Sequence, residues 1–250
     1  MVIWIMVLIL GVLMPQTVRA QGETQPRWLV DNPTAGLLPK GSFSVDVRLY
    51  DDNGILTLLE VGLLDRAGVG FSFGGQRLVG NQEVKWNPRV EFMGRVRVVE
   101  EGYSIPAVAV GYHSQGFGAF DKELERYTTK SKGFYAALSK NFGSAMGDMG
   151  LHAGVNRSRE DADGDKDFSG FLGVDKQVGK SLVLLAEYDF ALNDNEDNTL
   201  GSGRGLMNVG GRWAASKQLA LEVDFKNVFR DGHRNPNPDR EIRLLYFEKF

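Results

Sequence analysis

From Gly41 onward the chain is a succession of runs in which apolar residues alternate with polar or small ones, the period of a β-strand with one apolar face. The clearest sets Phe43, Val45, Val47 and Leu49 against Ser42, Ser44, Asp46 and Arg48. "DDNG" (51–54) follows, with turn chemistry and a glycine for a positive φ. The next runs set Ile55, Leu59, Val61 and Leu63 against Glu60 and Gly62, then Val69, Phe71 and Phe73 against Gly70, Ser72 and Gly74. The pattern continues through Val90–Val99, Ile105–Tyr112, Gly133–Phe142, Met149–Ser158, Phe168–Lys176, Leu182–Leu192, Gly205–Ala214, Leu219–Val228 and Arg240–Phe250. No 3.6-residue stripe competes with it. The runs are about 8–11 residues long, close to the ~9–11 of a tilted transmembrane strand and above the ~5–6 usual in soluble domains.

The connections are sorted by length. "DRAG", "EEGYS", "GSAMGD", "QVGK" and "ASKQ" are short, whereas "SQGFGAFDKELERYTTKS", "REDADGDK", "NDNEDNTLGSGR" and "RDGHRNPNPD" are long and polar. Short turns at one end and long loops at the other are the habit of outer-membrane barrels. The expected fold is therefore all-β: a single antiparallel up-and-down transmembrane β-barrel of about 12 strands, spanning residues 41–250.

Charge decides which face looks outward. The polar faces carry Asp46, Arg48, Glu60, Glu91, Arg95, Arg97, Glu187, Asp189, Arg212, Glu222, Asp224, Lys226 and Arg243. A Lys or Arg facing lipid at mid-depth costs about 2–4 kcal/mol. These residues are expected to line the lumen, where the signs nearly cancel and neighbours pair across strands. A soluble barrel of this strand number, with Val, Leu and Gly turned inward, would enclose a void. A secreted β-sandwich avoids that objection and stands as the alternative fold. Tyr188, Phe190 and Phe225 at one end and Phe142, Trp213 and Phe250 at the other suit two interfacial belts.

The 29 basic and 32 acidic residues leave no nucleic-acid footprint, and the absence of cysteine excludes disulfides, thiolate metal sites and a lipoprotein anchor. Residues 1–20, "MVIWIMVLILGVLMPQTVRA", hold an apolar run too short to span a bilayer and end on Val18-Arg19-Ala20, which reads as a cleaved signal peptide. Residues 21–40 are expected to be a periplasmic N-terminal segment. The final strand ends on Phe250, with Tyr246, Leu244 and Ile242 on its face. Closure of the barrel would pair this strand with the first one and leave no bare edge. Tyr246 and Phe250 resemble the C-terminal assembly signal that the barrel-assembly machinery of bacterial outer membranes reads.

The block "PAVAVGYHSQGFGAFDKELERYTTKSKGFYAALSKNFG" (106–143) resembles a recurrent element of the YjbH-type outer-membrane proteins, at Gly111, Gln115-Gly116, Arg126-Tyr127 and Ser139-Lys140. The resemblance implies a Gram-negative-type outer membrane and a link to exopolysaccharide export or its regulation. It transfers no catalytic residue.

Little chemistry is written in the chain. His113, His152 and His233 are scattered. His152, near Asn156 and Ser158, admits a barrel enzyme acting on lipid or lipopolysaccharide, although its face points into the lumen. "DADGDKD" (161–167) fails as a calcium loop, because Lys166 and Leu172 stand where glycine and a carboxylate are needed. "GSGRG" (201–205) precedes no helix and so cradles no phosphate. The sequence thus leads to a monomeric, non-enzymatic outer-membrane protein without cofactor, metal or nucleic-acid partner, in contact with lipid and lipopolysaccharide. Its expected work is as a narrow channel for small solutes or oligosaccharides, or as an accessory to surface polysaccharide export. The other readings are the barrel enzyme and a secreted binding module.

Overall fold

The computed structural model describes residues 26–197, 199–232 and 238–250. The expected signal peptide (1–20), residues 21–25 and His233 lie outside them. The chain forms β1 (Ser42–Tyr50), β2 (Gly54–Leu64), β3 (Ala67–Gln76), β4 (Lys85–Trp86), β5 (Glu91–Val99), β6 (Ala107–His113), β7 (Phe117–Asp121), β8 (Arg126–Thr129), β9 (Gly133–Phe142), β10 (Met149–Arg157), β11 (Ser169–Val178), β12 (Leu182–Asp189), β13 (Leu206–Ala214), β14 (Leu219–Lys226) and β15 (Asp239–Lys249). All but β4, β7 and β8 form one antiparallel barrel of 12 strands, each paired with its sequence neighbour.

The wall closes where β15 returns to β1, in a register from Ser42↔Lys249 to Leu49↔Ile242. The Phe250 N–H donates to the Gly41 carbonyl at 2.9 Å just beyond it. The strand that ends the sequence therefore has partners on both sides, β14 and β1, and no ladder of unpaired amides remains.

The faces are inside-out relative to a soluble domain. In β1, Ser42, Ser44, Asp46 and Arg48 are buried while Leu49 is exposed. Phe71, Phe92, Val110, Phe134, Leu151, Leu172, Leu184, Trp213, Phe225 and Ile242 make an apolar outer girdle, the surface a bilayer would cover. A crevice of about 430 Å³ on this outer wall, lined by Ile55, Leu59, Phe71, Phe73, Leu78 and Trp86, faces away from the lumen.

Three local features differ from the sequence reading. In the β1–β2 turn the positive φ falls on Asp52 (55°) and Asn53 (51°), not on glycine. Gly54 is required for space instead, since a Cβ there would meet the Tyr50 ring at 2.3 Å. The loop between β3 and β5 contains the short β4, which pairs with Gly75 and Gln76. The polar loop 114–131 holds the hairpin β7–β8, whose Phe117, Arg126 and Tyr127 are buried. A strand of four or five residues is too short for alternation to reveal.

Candidate functional site

Of the thirteen charges assigned to the lumen, Asp46, Arg48, Glu60, Glu91, Arg95, Arg97, Glu187, Asp189, Glu222, Asp224, Lys226 and Arg243 are all buried, and Arg212 is half-buried. Several meet across strands. Arg243 reaches both Asp46 and Glu222, Arg212 also holds Glu222, and Lys132 holds Asp189. Residues 26–38 occupy the space between most of these side chains, while Glu91 and Asp189 meet Tyr127 and Lys132 nearer the long-loop end.

That segment is a finger pushed into the barrel from the short-turn end. Its stems run side by side: the Thr34 N–H donates to the Arg27 carbonyl at 3.0 Å, and the Thr34 hydroxyl to the Pro26 carbonyl at 2.5 Å. Its tip closes with Leu29 N–H on the Asn32 carbonyl at 3.0 Å. Leu29, Val30, Asn32, Thr34 and Ala35 are fully buried (0% exposed). The expectation for 21–40 was a periplasmic segment; residues 26–38 are instead packed inside the wall.

A chain without regular structure carries backbone groups that must find partners when buried. The wall arginines supply them. Arg97 donates to the Ala35 carbonyl at 2.9 and 2.7 Å, and Arg95 to the Arg27 and Gly36 carbonyls at 3.1 Å each. Arg212 reaches the Trp28 carbonyl at 3.2 Å. Arg243 reaches the Leu29 and Val30 carbonyls at 3.3 and 3.2 Å, and Arg48 the Val30 carbonyl at 3.0 Å. Glu187 serves the opposite polarity. Its carboxylate accepts the successive N–H groups of Val30, Asp31 and Asn32 at 3.1, 2.9 and 2.9 Å, with Asn208 Nδ2 as a further donor at 2.8 Å. Hydrogen bonds to charged groups contribute about 1.5–3 kcal/mol each when buried, so this scaffold holds a specific conformation.

Apolar contacts complete the seat. Trp28 packs on Leu58 and Met93, Leu29 and Val30 on Leu185, and Ala35 on Ala107 and Ala109. Two wall glycines leave room: a Cβ at Gly173 would stand 2.1 Å from Leu29 Cδ1, and one at Gly62 would stand 2.1 Å from the Pro39 carbonyl oxygen.

The long-loop end is closed by the β7–β8 hairpin, which bends inward above the finger. Phe117 lies over the Arg48 guanidinium at 4.2 Å and the Lys226 ammonium at 5.2 Å, and against Tyr50 and Leu56. Arg126 anchors the hairpin with hydrogen bonds to Asp163 at 2.9 Å and Asp194 at 2.5 and 2.9 Å. Lys130 adds a second bond to Asp163 at 2.8 Å. Glu160 accepts the Tyr127 and Ser131 N–H groups at 3.2 and 2.5 Å. Burial is the main influence on Glu160 and pushes its carboxyl up to about 7. Burial also opposes the charge of Asp194, but the hydrogen bonds and positive charge of Arg126 outweigh it and hold that carboxyl below its ordinary value. At the level of Trp28 to Ala35 the finger residues Leu29, Val30, Asp31, Asn32, Thr34 and Ala35 are buried against the wall.

No family model matches the sequence, and no curated protein is similar to it. Solved structures do share its fold. The KdgM porin superposes with a TM-score of 0.51 over 82% of this chain and 98% of its own, at 10% identity. The barrel is porin-like in fold. A second structure, the KdgM porin in complex with disordered oligogalacturonate, gives 0.50 at 11% identity, over the same 82% and 98%. Outer membrane phospholipase A from Escherichia coli gives 0.43 at 10% identity over 85% of this chain and 98% of that one, a likeness too distant to bear on chemistry.

The histidines are part of the packing. His113 is buried against Trp28, ring centroids 4.7 Å apart. His152 points into the barrel, with Nδ1 2.8 Å from Ser139 Oγ and Nε2 2.7 Å from an Asp175 oxygen. Asn156 and Ser158, its expected neighbours, are buried nearer the long-loop end, where Ser158 Oγ lies 3.3 Å from Ser131 Oγ. A serine, histidine and aspartate in line have the order of a hydrolytic triad. Here, though, the hydroxyl accepts the Ala35 N–H at 2.8 Å and all three side chains are covered, which leaves no site for a reacting carbonyl. The "DADGDKD" loop turns Asp163 onto Arg126 and Lys130, and Asp165 receives the Asn195 N–H at 3.3 Å. Tyr246 and Phe250 flank Phe43 on the outer wall, centroids 6.1 and 6.3 Å away.

The sequence reading missed Asp31, Arg126, Lys130, Lys132, Glu160, Asp175 and Glu241 as interior charges. One available signal was the apolar residues on polar faces, Leu58, Met93 and Leu185, which have no reason to face water and every reason to face another chain segment.

Proposed function

We propose that this chain is a non-enzymatic outer-membrane protein of porin type, a narrow passage for small solutes or short oligosaccharides that residues 26–38 close in the state described here. The observation that carries the reading is the finger itself. It fills the lumen through noncovalent contacts, and both of its stems point to the same end of the barrel, so it can leave without the wall coming apart. Oligosaccharide as cargo draws on the likeness to the KdgM porin and on the YjbH-type resemblance. The latter also leaves a role as an accessory to surface polysaccharide export within the same reading. Export through residues 1–20, delivery to the assembly machinery through Tyr246 and Phe250, a monomeric state and contact with lipopolysaccharide along the outer girdle belong to it too.

The Ser139–His152–Asp175 alignment favours an enzyme instead. That reading is the weaker one, because the serine is spent on the finger's backbone and the constellation faces the lumen rather than lipid.

Planar-bilayer recording tests the proposal. Purified, heat-modifiable protein is expected to show rare, brief openings, and removal of the finger tip (residues 28–33) is expected to raise the open fraction at least about tenfold. A folded tip-deleted barrel that passes no current would overturn the channel reading.

A further inference from the structure

Two finger side chains are held to the wall by charge: Arg27 in the stem, on Glu60 at 2.7 Å, and Asp31 at the tip. The tip's other hydrogen bonds run through backbone groups, which any residue would offer, while Trp28, Leu29 and Val30 add apolar packing. Asp31 is the one acid between Pro26 and Lys40, and its carboxylate is divided between two cations. Oδ1 accepts from Arg48 Nη1 at 2.7 Å, and Oδ2 lies 2.8 Å from Lys226 Nζ. These cations stand on β1 and β14, held apart by β15 between them, which contributes Glu241 at 3.6 Å from Arg48 and 2.8 Å from Lys226. The wall therefore presents a fixed two-point clamp for one carboxylate, and the chain fills it from within.

We propose that the Arg48–Lys226 clamp is a carboxylate subsite of the passage, that Asp31 occupies it as an internal stand-in, and that a small carboxylate-bearing solute opens the barrel by taking its place. This rests on the channel reading above and goes further by naming the chemical class of solute and the event that opens the way. Three observations support it.

The exchange conserves charge. Arg48 and Lys226 are 3% and 5% exposed, and buried charges persist only when compensated. A carboxylate that replaces Asp31 restores the compensation one for one, whereas a neutral solute leaves the two cations to share Glu241, with Asp46 beside Arg48, and one anion short.

The clamp has an approach side. Phe117, which covers both cations, comes from the hairpin at the long-loop end rather than from the finger. The hairpin closes that end, so a solute reaches the clamp only when Phe117 is displaced, and it then meets an aromatic face beside a pair of cations, a surface suited to a ring that bears a carboxylate.

Beyond the clamp the Asp31 side chain has no other tie among the described residues, and what else holds the tip is backbone on Arg48, Arg243 and Glu187 and apolar packing. Apart from the clamp, the Asp31 residue is fixed by its N–H on Glu187. The tip side chain of Asn32 has no hydrogen-bond partner although it is buried, a cost that withdrawal removes. A ligand moves such an equilibrium only through its preference for the open form, and here the preference is specific: the clamp is available to solute only when Asp31 has left it.

The test is the open fraction in planar bilayers at matched ionic strength, with sodium glucuronate or glucose added on the long-loop side. Glucuronate is expected to raise the open fraction of the intact chain about tenfold, and glucose to leave it unchanged. Asp31→Asn is expected to be open without either sugar. Lys226→Met, in which Arg48 remains to secure the fold, is expected to lose the distinction between them. Equal responses to the two sugars, or a full glucuronate response in Lys226→Met, would overturn the clamp while leaving the channel standing. Silence in every variant, the tip deletion included, would remove the channel reading and the clamp with it.

Discussion

The finger and the β7–β8 hairpin close the same lumen from opposite ends by different means. The finger is held chiefly through its main chain, with five arginines on its carbonyls and one glutamate on its amides, and Arg27 and Asp31 as its charged side-chain ties. The hairpin is held through side chains, chiefly Arg126 with Asp163 and Asp194. Main-chain capture depends on the shape of the chain and, away from Arg27 and Asp31, tolerates changes in its sequence. Side-chain capture depends on particular charges, and so on pH. The two closures should therefore fail separately.

The largest separation is expected from Arg126→Ala. It takes the guanidinium from Asp194 and one of two cations from Asp163, which keeps Lys130, and loss of one partner from a buried ion pair costs about 3–5 kcal/mol. Hydrogen exchange should rise across 114–132 while residues 28–35 stay protected; equal loosening of both would show that the closures are coupled. Gly173→Ala probes the other side. Its Cβ collides with Leu29, and overpacking of this kind costs about 1–3 kcal/mol. Exchange should then rise in 28–35 with the hairpin unchanged.

A pH effect is the smallest and confined to the hairpin. Glu160, pushed up to about 7 from an ordinary 4.5, binds its proton more tightly when the hairpin is docked. Its contribution to docking is fully present below about 4.5 and is lost as pH rises through about 7. Asp194 runs the other way: held below its ordinary 3.8, it contributes above that value and is lost only as pH falls beneath it. Exchange in 126–131, corrected for intrinsic rate, should be slowest between about 4 and 5 and faster at pH 8. Glu160→Gln should flatten the profile, and an unchanged slope would clear Glu160 of the effect.

The wall was legible in the sequence because a strand with one wet and one greasy face must alternate, and each of the twelve runs does. The sorting of loops gave its ends. The finger was not legible for the same reason: it obeys no period. "PRWLVDNPTAGLL" satisfies its backbone with arginines that lie from 18 to 214 residues away in sequence. Asp46 and Arg48 read simply as lumen charges, and nothing in their spacing says whether water or polypeptide lies between them. Gly173 was ambiguous likewise, since a strand glycine marks a close approach without naming what approaches. The hairpin hid in a loop because its strands, Phe117–Asp121 and Arg126–Thr129, are shorter than the pattern that would betray them.

Pro26 lies against Gly36, so close that a Cβ on the glycine would meet the Pro26 carbonyl oxygen at 2.8 Å. Insertion therefore needs no free end to be threaded through the ring of strands. The cylinder can be completed first and stoppered afterwards, and each later unstoppering can be undone without refolding the wall.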